Sequence, residues 1–258
     1  AKDGAAATGT PEAAAVYTRA LPASGKRTVL IFVLGESARA RSFSLNGYPR
    51  ETNPRLSREA VISFSHVEAC ATATAQSLPC LFSSLGEKGF SYRRSKETDN
   101  LLDAARKAGY QVTWYENGMG TQSVTRSATV VKLGSYYHAE RDHILIDSLP
   151  SAEELVRSDK DQLIVLHQRG SHGPDYAERY TPEFRRFAPD CDSSVLKSCS
   201  HEAVVNAYDN TILYTDANIA DAIDYLKRLN DRFNTALLYV SDHGESTGEG
   251  GWYMHGLP

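Results

Sequence analysis

The sequence predicts an α/β protein built on a doubly wound, mostly parallel sheet with helices on both faces. Residues 28–34 (TVLIFVL), 163–167 (LIVLH) and 235–240 (TALLYV) are continuous apolar runs, the pattern of strands covered on both sides. Stretches of helical spacing separate them, and strand–helix alternation marks a parallel sheet. At 258 residues the chain is long enough to bury one large core.

Residues 1–25 are rich in Ala, Gly, Thr and Pro and lack periodicity, so they read as a linker, leaving 26–258 as the domain. The run 28–34 ends in Gly35-Glu36-Ser37, a carboxylate at the C-terminal end of a buried strand, where ligands of open α/β sheets collect. Residues 42–56 are loop-rich, with Asn46-Gly47 and Asn53-Pro54 as turns. Residues 61–67 alternate apolar and polar side chains and predict a strand that delivers the chain to CATATAQSLPC, residues 70–80. Pro79 is tolerated only near a helix start, so a helix is expected to begin between Thr74 and Ser77 and run through 81–85. A hydroxyl there meets free N–H groups and the positive end of the helix dipole, a seat for phosphate. Thr74 or Ser77 could equally be a plain helix cap.

Residues 100–108 read as a helix stopped by Gly109, followed by a strand at 111–115 and a polar loop at 116–129. Ser151 and Glu154 form a capping box for a short helix at 151–157. The strand at 163–167 leads into RGSHGP with His172, and residues 176–200 are a polar excursion. A long helix spans 201–229, with Val204, Ala207, Ile212, Ile219, Ile223 and Leu226 on one side. The last strand ends in Ser241-Asp242-His243-Gly244-Glu245, and His255 follows.

A net charge of −4 lacks the basic excess of a nucleic-acid binder, so no nucleic-acid partner is expected. No apolar run is long enough to span a bilayer, no signal peptide is evident, and the opening at Ala1 suggests a processed piece. The four cysteines form two close pairs, Cys70/Cys80 and Cys191/Cys199, without C-x-x-C spacing. Loop-closing disulfides and an oxidising compartment are expected.

Three buried strands thus end in Glu36, in His172, and in Asp242 with His243, and His255 lies close in sequence to the last. Singly, each has an ordinary explanation as a cap, turn or surface residue. Converging at one edge of a sheet, two carboxylates and three imidazoles suit zinc. Of the other histidines, His66, His138, His143 and His167 read as structural. His201 stands apart because it follows Cys199 and opens a helix.

Five segments carry a resemblance: GESARARSFSLNGYPRETNPRL, CATATAQSLPCLFSSL, HQRGSHGPDYAERY, NAYDNTILYTD and YVSDHGESTGEGGWYMHG. They closely resemble the phosphoethanolamine transferases of Gram-negative bacteria, a family that includes chromosomal lipid A modifiers and mobile colistin-resistance enzymes. The resemblance implies an alkaline-phosphatase/sulfatase-like fold and one or two zinc ions. It implies a two-step transfer of phosphoethanolamine from phosphatidylethanolamine to a phosphate of lipid A in lipopolysaccharide, conferring polymyxin resistance. Thr74 corresponds to the nucleophile, and Glu36, Thr74, Asp242 and His243 to the zinc shell. His172 and His255 correspond to a second metal or acceptor-phosphate site. Asn117 falls where relatives hold the donor headgroup, and His201 is a further substrate-contact candidate.

The implied location is the periplasmic face of the inner membrane, reached through an N-terminal membrane domain that this chain lacks, with the domain a monomer. Some relatives carry a further cysteine pair in the region of residues 125–141, and relatives continue beyond HGLP. The competing reading is a phosphodiesterase or sulfatase-like hydrolase on the same scaffold, weakened because CATAT does not fit the C/S-x-P-x-R sulfatase signature. A non-catalytic envelope-binding module would not need a hydroxyl beside metal ligands.

Overall fold

The computed structural model describes residues 25–138 and 140–256, so the linker expected at 1–25 falls outside them except for Gly25. The first half of the chain forms β1 (Thr28–Gly35), α1 (Thr74–Phe82), α2 (Gly86–Gly89), α3 (Tyr92–Glu97), α4 (Leu101–Lys107), β2 (Gln111–Asn117) and β3 (Thr129–Gly134). The second half forms α5 (His143–Asp147), α6 (Ala152–Arg157), β4 (Gln162–His167), α7 (His201–Lys227), β5 (Asn234–Ser241) and a small hairpin of β6 (Ser246–Thr247) and β7 (Tyr253–Met254).

The main sheet has the order β3-β2-β4-β1-β5, and every neighbouring pair is parallel. The apolar runs are strands because both their faces are covered. Val29, Ile31 and Val33 of β1 pack with Leu145, Leu155, Ile219 and Leu226, on the face covered by α5, α6 and α7. Phe32 and Leu34 point the other way, toward Leu78 and Phe82 of α1 and Leu102 of α4. There Phe82 stacks on Phe32 at 5.4 Å and tilts against Trp114 at 5.5 Å. Removing such a side chain from water contributes roughly 1.5–3 kcal/mol.

Local signals set several boundaries. Asn100 and Asp103 form a capping box on α4, Ser151 and Glu154 another on α6. Gly109, at φ +95°, ends α4 where an L side chain would be strained. Both cysteine pairs are joined, Cys70 to Cys80 and Cys191 to Cys199.

Four expectations need correction. Residues 61–67 are an exposed coil rather than a strand, because no strand among the described residues pairs with them. The loop expected at 116–129 is shorter: β2 runs on to Asn117, and Thr129 already opens β3, the outer strand, whose side chains are half-buried or exposed and carry no continuous apolar signal. The helix expected through 85 stops at Phe82, and Ser83 turns away to bridge Asn100. The long helix closes at Lys227 rather than at 229.

At the other edge, β5 is the last strand of the sheet and Leu238 is 54% exposed. An apolar groove of about 810 Å³ separates it from the coil at 61–67, with Val61, Ile62, Phe64 and Leu237 in its walls.

Candidate active site and metal centre

The C-terminal ends of β1, β4 and β5 bring the chemistry together. β1 delivers Glu36, fully buried. β5 delivers Asp242 and His243, both buried. α1 begins at Thr74, with Ala73 at the cap position and no side chain capping it. The Thr74 hydroxyl lies 2.9 Å from Glu36 Oε2, 3.1 Å from Glu36 Oε1 and 3.1 Å from His243 Nε2. The rival hydroxyls sit elsewhere. Ser77 is buried and donates to the Asp242 carbonyl, and Thr72 is exposed, its carbonyl accepting from Gly256 N at 2.7 Å.

Among the described residues, two donor sets share Glu36. Glu36, Asp242 and His243 place one ligand atom each within 4.8 Å of one another, and Glu36, His172 and His255 do the same. The imidazoles are aimed. His243 Nδ1 lies 2.8 Å from the Gly244 carbonyl and His172 Nδ1 2.6 Å from the Gly173 carbonyl. An N–H directed at each carbonyl leaves Nε2 as the free donor. His255 Nδ1 sits 2.7 Å from Glu245 Oε2, and the Tyr176 hydroxyl donates to Glu245 Oε1 at 2.6 Å. Glu245 carries no sequence signal beyond its place two residues after His243.

The electrostatics fit a cation. Burial pushes Glu36 up, but the hydrogen bond and charge of His243 outweigh it and hold Glu36 at about 2. Burial opposes charge on His243, yet Glu36 and Asp242 raise it to about 9. Burial and the charge of Glu36 push Asp242 up to about 8. A bound cation would offset the negative charge that burial and Glu36 disfavour on Asp242. Asp242 Oδ2 is buried and makes no hydrogen bond. A buried carboxylate oxygen left unpaired is costly unless something binds it. The residues present thus fit zinc, by donor chemistry and by this orphaned oxygen.

The backbone is fitted just as closely. The Ser171 N–H donates to the Glu36 carbonyl at 2.9 Å, so the loop carrying His172 lies against the Glu36 main chain. A Cβ at Gly170 would stand 2.6 Å from that carbonyl, which only glycine avoids.

Two expected residues lie apart from this cluster. Asn117 is buried at the end of β2, its amide donating to Asp142 Oδ1 at 2.8 Å and to the Glu140 carbonyl at 2.7 Å. Asp142 in turn accepts from the N–H groups of Arg169 and Gly170 at 2.8 and 2.7 Å, so Asn117 braces the loop that carries His172. His201 is exposed at the start of α7, next to Gly248.

The sulfatase family model matches residues 28–258. The chain is 41% identical over 245 residues to phosphoethanolamine transferase EptA of Escherichia coli K12, a match covering 90% of this chain and 44% of that one. It superposes with a TM-score of 0.87 and 38% identity on lipooligosaccharide phosphoethanolamine transferase A from Neisseria meningitidis. The match takes in 93% of this chain, 74% of that enzyme's soluble domain and 46% of its full-length integral membrane form. The C-terminal periplasmic domain of EcEptC from Escherichia coli, solved with Zn, matches with a TM-score of 0.66 and 25% identity, over 87% of this chain and 66% of that one. The chain thus spans less than half the length of the curated relative it matches.

Proposed function

The chain belongs to the sulfatase family, and from its likeness to phosphoethanolamine transferases we propose that it transfers phosphoethanolamine from phosphatidylethanolamine to a phosphate of lipid A, through a covalent intermediate on Thr74. The observation that carries the reading is the Thr74 hydroxyl, set at a helix start within hydrogen-bond reach of both Glu36 and His243. A threonine hydroxyl is a weak nucleophile at neutral pH and needs such neighbours. Zinc held by Glu36, Thr74, Asp242 and His243 would lower the hydroxyl's pKa and offset charge on the phosphoryl group.

Thr74 Oγ1 attacks the donor phosphorus, and the bond from phosphorus to the diacylglycerol oxygen breaks. The hydroxyl proton, already directed at Glu36, leaves along that bond and ends on the departing alcohol. The first-turn N–H groups of α1 face the phosphoryl oxygens as charge builds on them. A lipid A phosphate oxygen then attacks the same phosphorus, the bond from phosphorus to Thr74 Oγ1 breaks, and the proton given up by the attacking phosphate restores the threonine hydroxyl. His172 and His255 hold that second phosphate or a second ion. The added ethanolamine amine lowers the negative charge of lipid A, and cationic polymyxins lose attraction with it. The setting is the periplasmic face of the inner membrane, with anchoring through a membrane domain of the kind the full-length Neisseria protein carries.

The test is to incubate the zinc-loaded chain with phosphatidylethanolamine and map the added mass by peptide sequencing, then add lipid A. An adduct on Thr74 that moves to lipid A is expected. An adduct on Thr72 or Ser77, or diacylglycerol release with no adduct, overturns the mechanism, and discharge to water alone makes the protein a hydrolase.

A further inference from the structure

Ser37 follows Glu36 directly and is fully buried with φ +59°. For a residue with a Cβ this left-handed conformation costs of order 1–3 kcal/mol and persists only where its surroundings over-determine it. The surroundings here are countable. The Ser37 N–H donates to Asp242 Oδ1 at 3.4 Å, and the Ala38 N–H to Ser241 Oγ at 2.8 Å. The Arg39 N–H donates to the Tyr208 hydroxyl at 2.9 Å, and that hydroxyl donates to the Ser37 carbonyl at 2.6 Å. One phenol oxygen on α7 therefore closes the turn from both sides.

Tyr208 is itself fully buried. Its ring meets Tyr176 edge-on at 5.5 Å, and the Arg39 guanidinium lies over it at 4.9 Å from the centroid. Its hydroxyl bonds go to the Arg39 N–H and the Ser37 carbonyl, not to a member of either donor set. We propose that Tyr208 is a positioning residue: its hydroxyl holds Ser37 in the left-handed turn, and the turn fixes the direction in which Glu36 presents its carboxylate to Thr74 and to both donor sets. β1 ends at Gly35, so the Glu36 main chain is held on its C-terminal side by this turn rather than by the sheet. Ser37 adds a second tie, its hydroxyl lying 3.1 Å from Glu36 Oε1 and 3.4 Å from His255 Nδ1. Tyr208 thus does for the turn what Gly170 does for the opposite side of the Glu36 backbone.

The inference rests on the metal reading of Glu36 given above, and the test separates the two. Zinc affinity of the 258-residue chain is measured by calorimetric titration for the parent, Tyr208→Phe, Ser37→Gly and the double variant. Tyr208→Phe keeps the ring and removes the hydroxyl. It is expected to weaken zinc binding on the order of 10-fold, the scale seen when the partners of metal ligands are removed. Glycine adopts φ +59° without strain, so in the Ser37→Gly background the same change is expected to cost less than about 3-fold. A merely structural tyrosine would show equal losses in both backgrounds, and equal losses overturn the proposal, as does unchanged affinity in Tyr208→Phe. If Tyr208→Phe alone does not fold, restoration of folding by Ser37→Gly supports the proposal, and failure in both backgrounds overturns it. A parent chain that binds no zinc would instead refute the metal reading.

Discussion

Two helices with opposite duties meet at the candidate site. α1 has nine residues, contains Pro79, has no side-chain cap, and presents Thr74 with Ala75 and Gln76 exposed beside it. α7 has twenty-seven residues, is buried along most of its length, and brings no ligand to either donor set. Its polar side chains work outward instead. Tyr208 closes the Ser37 turn, and Asp209 accepts from Tyr48 and Arg50, both at 2.9 Å. Asn210 accepts from the N–H groups of Arg186 and Phe187, and Thr211 donates to Ser171 beside His172 at 2.7 Å. The hydroxyl proposed to react thus sits on a lightly built element, while the heavily bonded one ties down the loops around it. Precision at the site comes from a helix that does none of the chemistry.

The largest effect that would break this division lies on α1. Thr74→Ala should abolish adduct formation and transfer while the thermal unfolding midpoint stays within a few degrees of the parent, because only a half-buried methyl and hydroxyl change. Loss of folding together with activity would show that α1 is structural after all.

A middle-sized effect compares the two disulfides. Cys70–Cys80 ties α1, and Cys191–Cys199 closes the loop before α7, where the Cys191 N–H also donates to the Ala203 carbonyl at 3.0 Å. Their loops differ little, with separations of 10 and 8 residues, so each bond contributes about 2.5 kcal/mol in the chain-entropy model. Replacing either pair by alanine should lower stability alike, as read by urea unfolding. Transfer measured well below the unfolding transition should fall more for the Cys70/Cys80 variant, since that bond restrains the helix of the proposed nucleophile. Equal activity losses would erase the contrast.

The smallest effect is in acid. On the α1 face, burial pushes Asp103 up, but the Arg126 and Ser127 side chains and the Asn100 N–H outweigh it and hold its carboxyl below the ordinary 3.8. A depressed carboxyl stabilises the fold above its unfolded pKa and loses that contribution as pH falls through the folded value. On α7 burial raises Asp209 and Asp216, so these carboxyls take up protons more readily in the folded chain and resist acid unfolding. Hydrogen exchange at pH 3 against pH 6 should therefore show α1 and α4 opening before α7. The reverse order would contradict the assignment.

The sequence carried the three central strands and the strand-end residues because continuous apolar runs and chemistry-bearing side chains are local signals. It placed the start of α1 within four positions, and Thr74 proved to be the first of them. β3 was invisible because an outer strand needs no apolar face, and 61–67 misled because alternation alone does not supply a pairing partner. The tie from the Asn117 amide nitrogen to Asp142 spans 25 residues of chain and has no local signal. Tyr208 and Gly170 act on Glu36 from sequence separations that no motif spans.

The open edge of β5 has a practical consequence at the bench. Among the described residues no strand pairs with the outer side of β5, and the apolar trough beside it, with Ile62 84% and Phe64 68% exposed at its rim, is a template on which neighbouring copies can line up. Crowding the sample brings such edges together long before any interior contact is at risk. Fluorescent dyes that seek greasy surface should also bind these 258 residues while folded, so a dye-based melting curve begins from a high baseline.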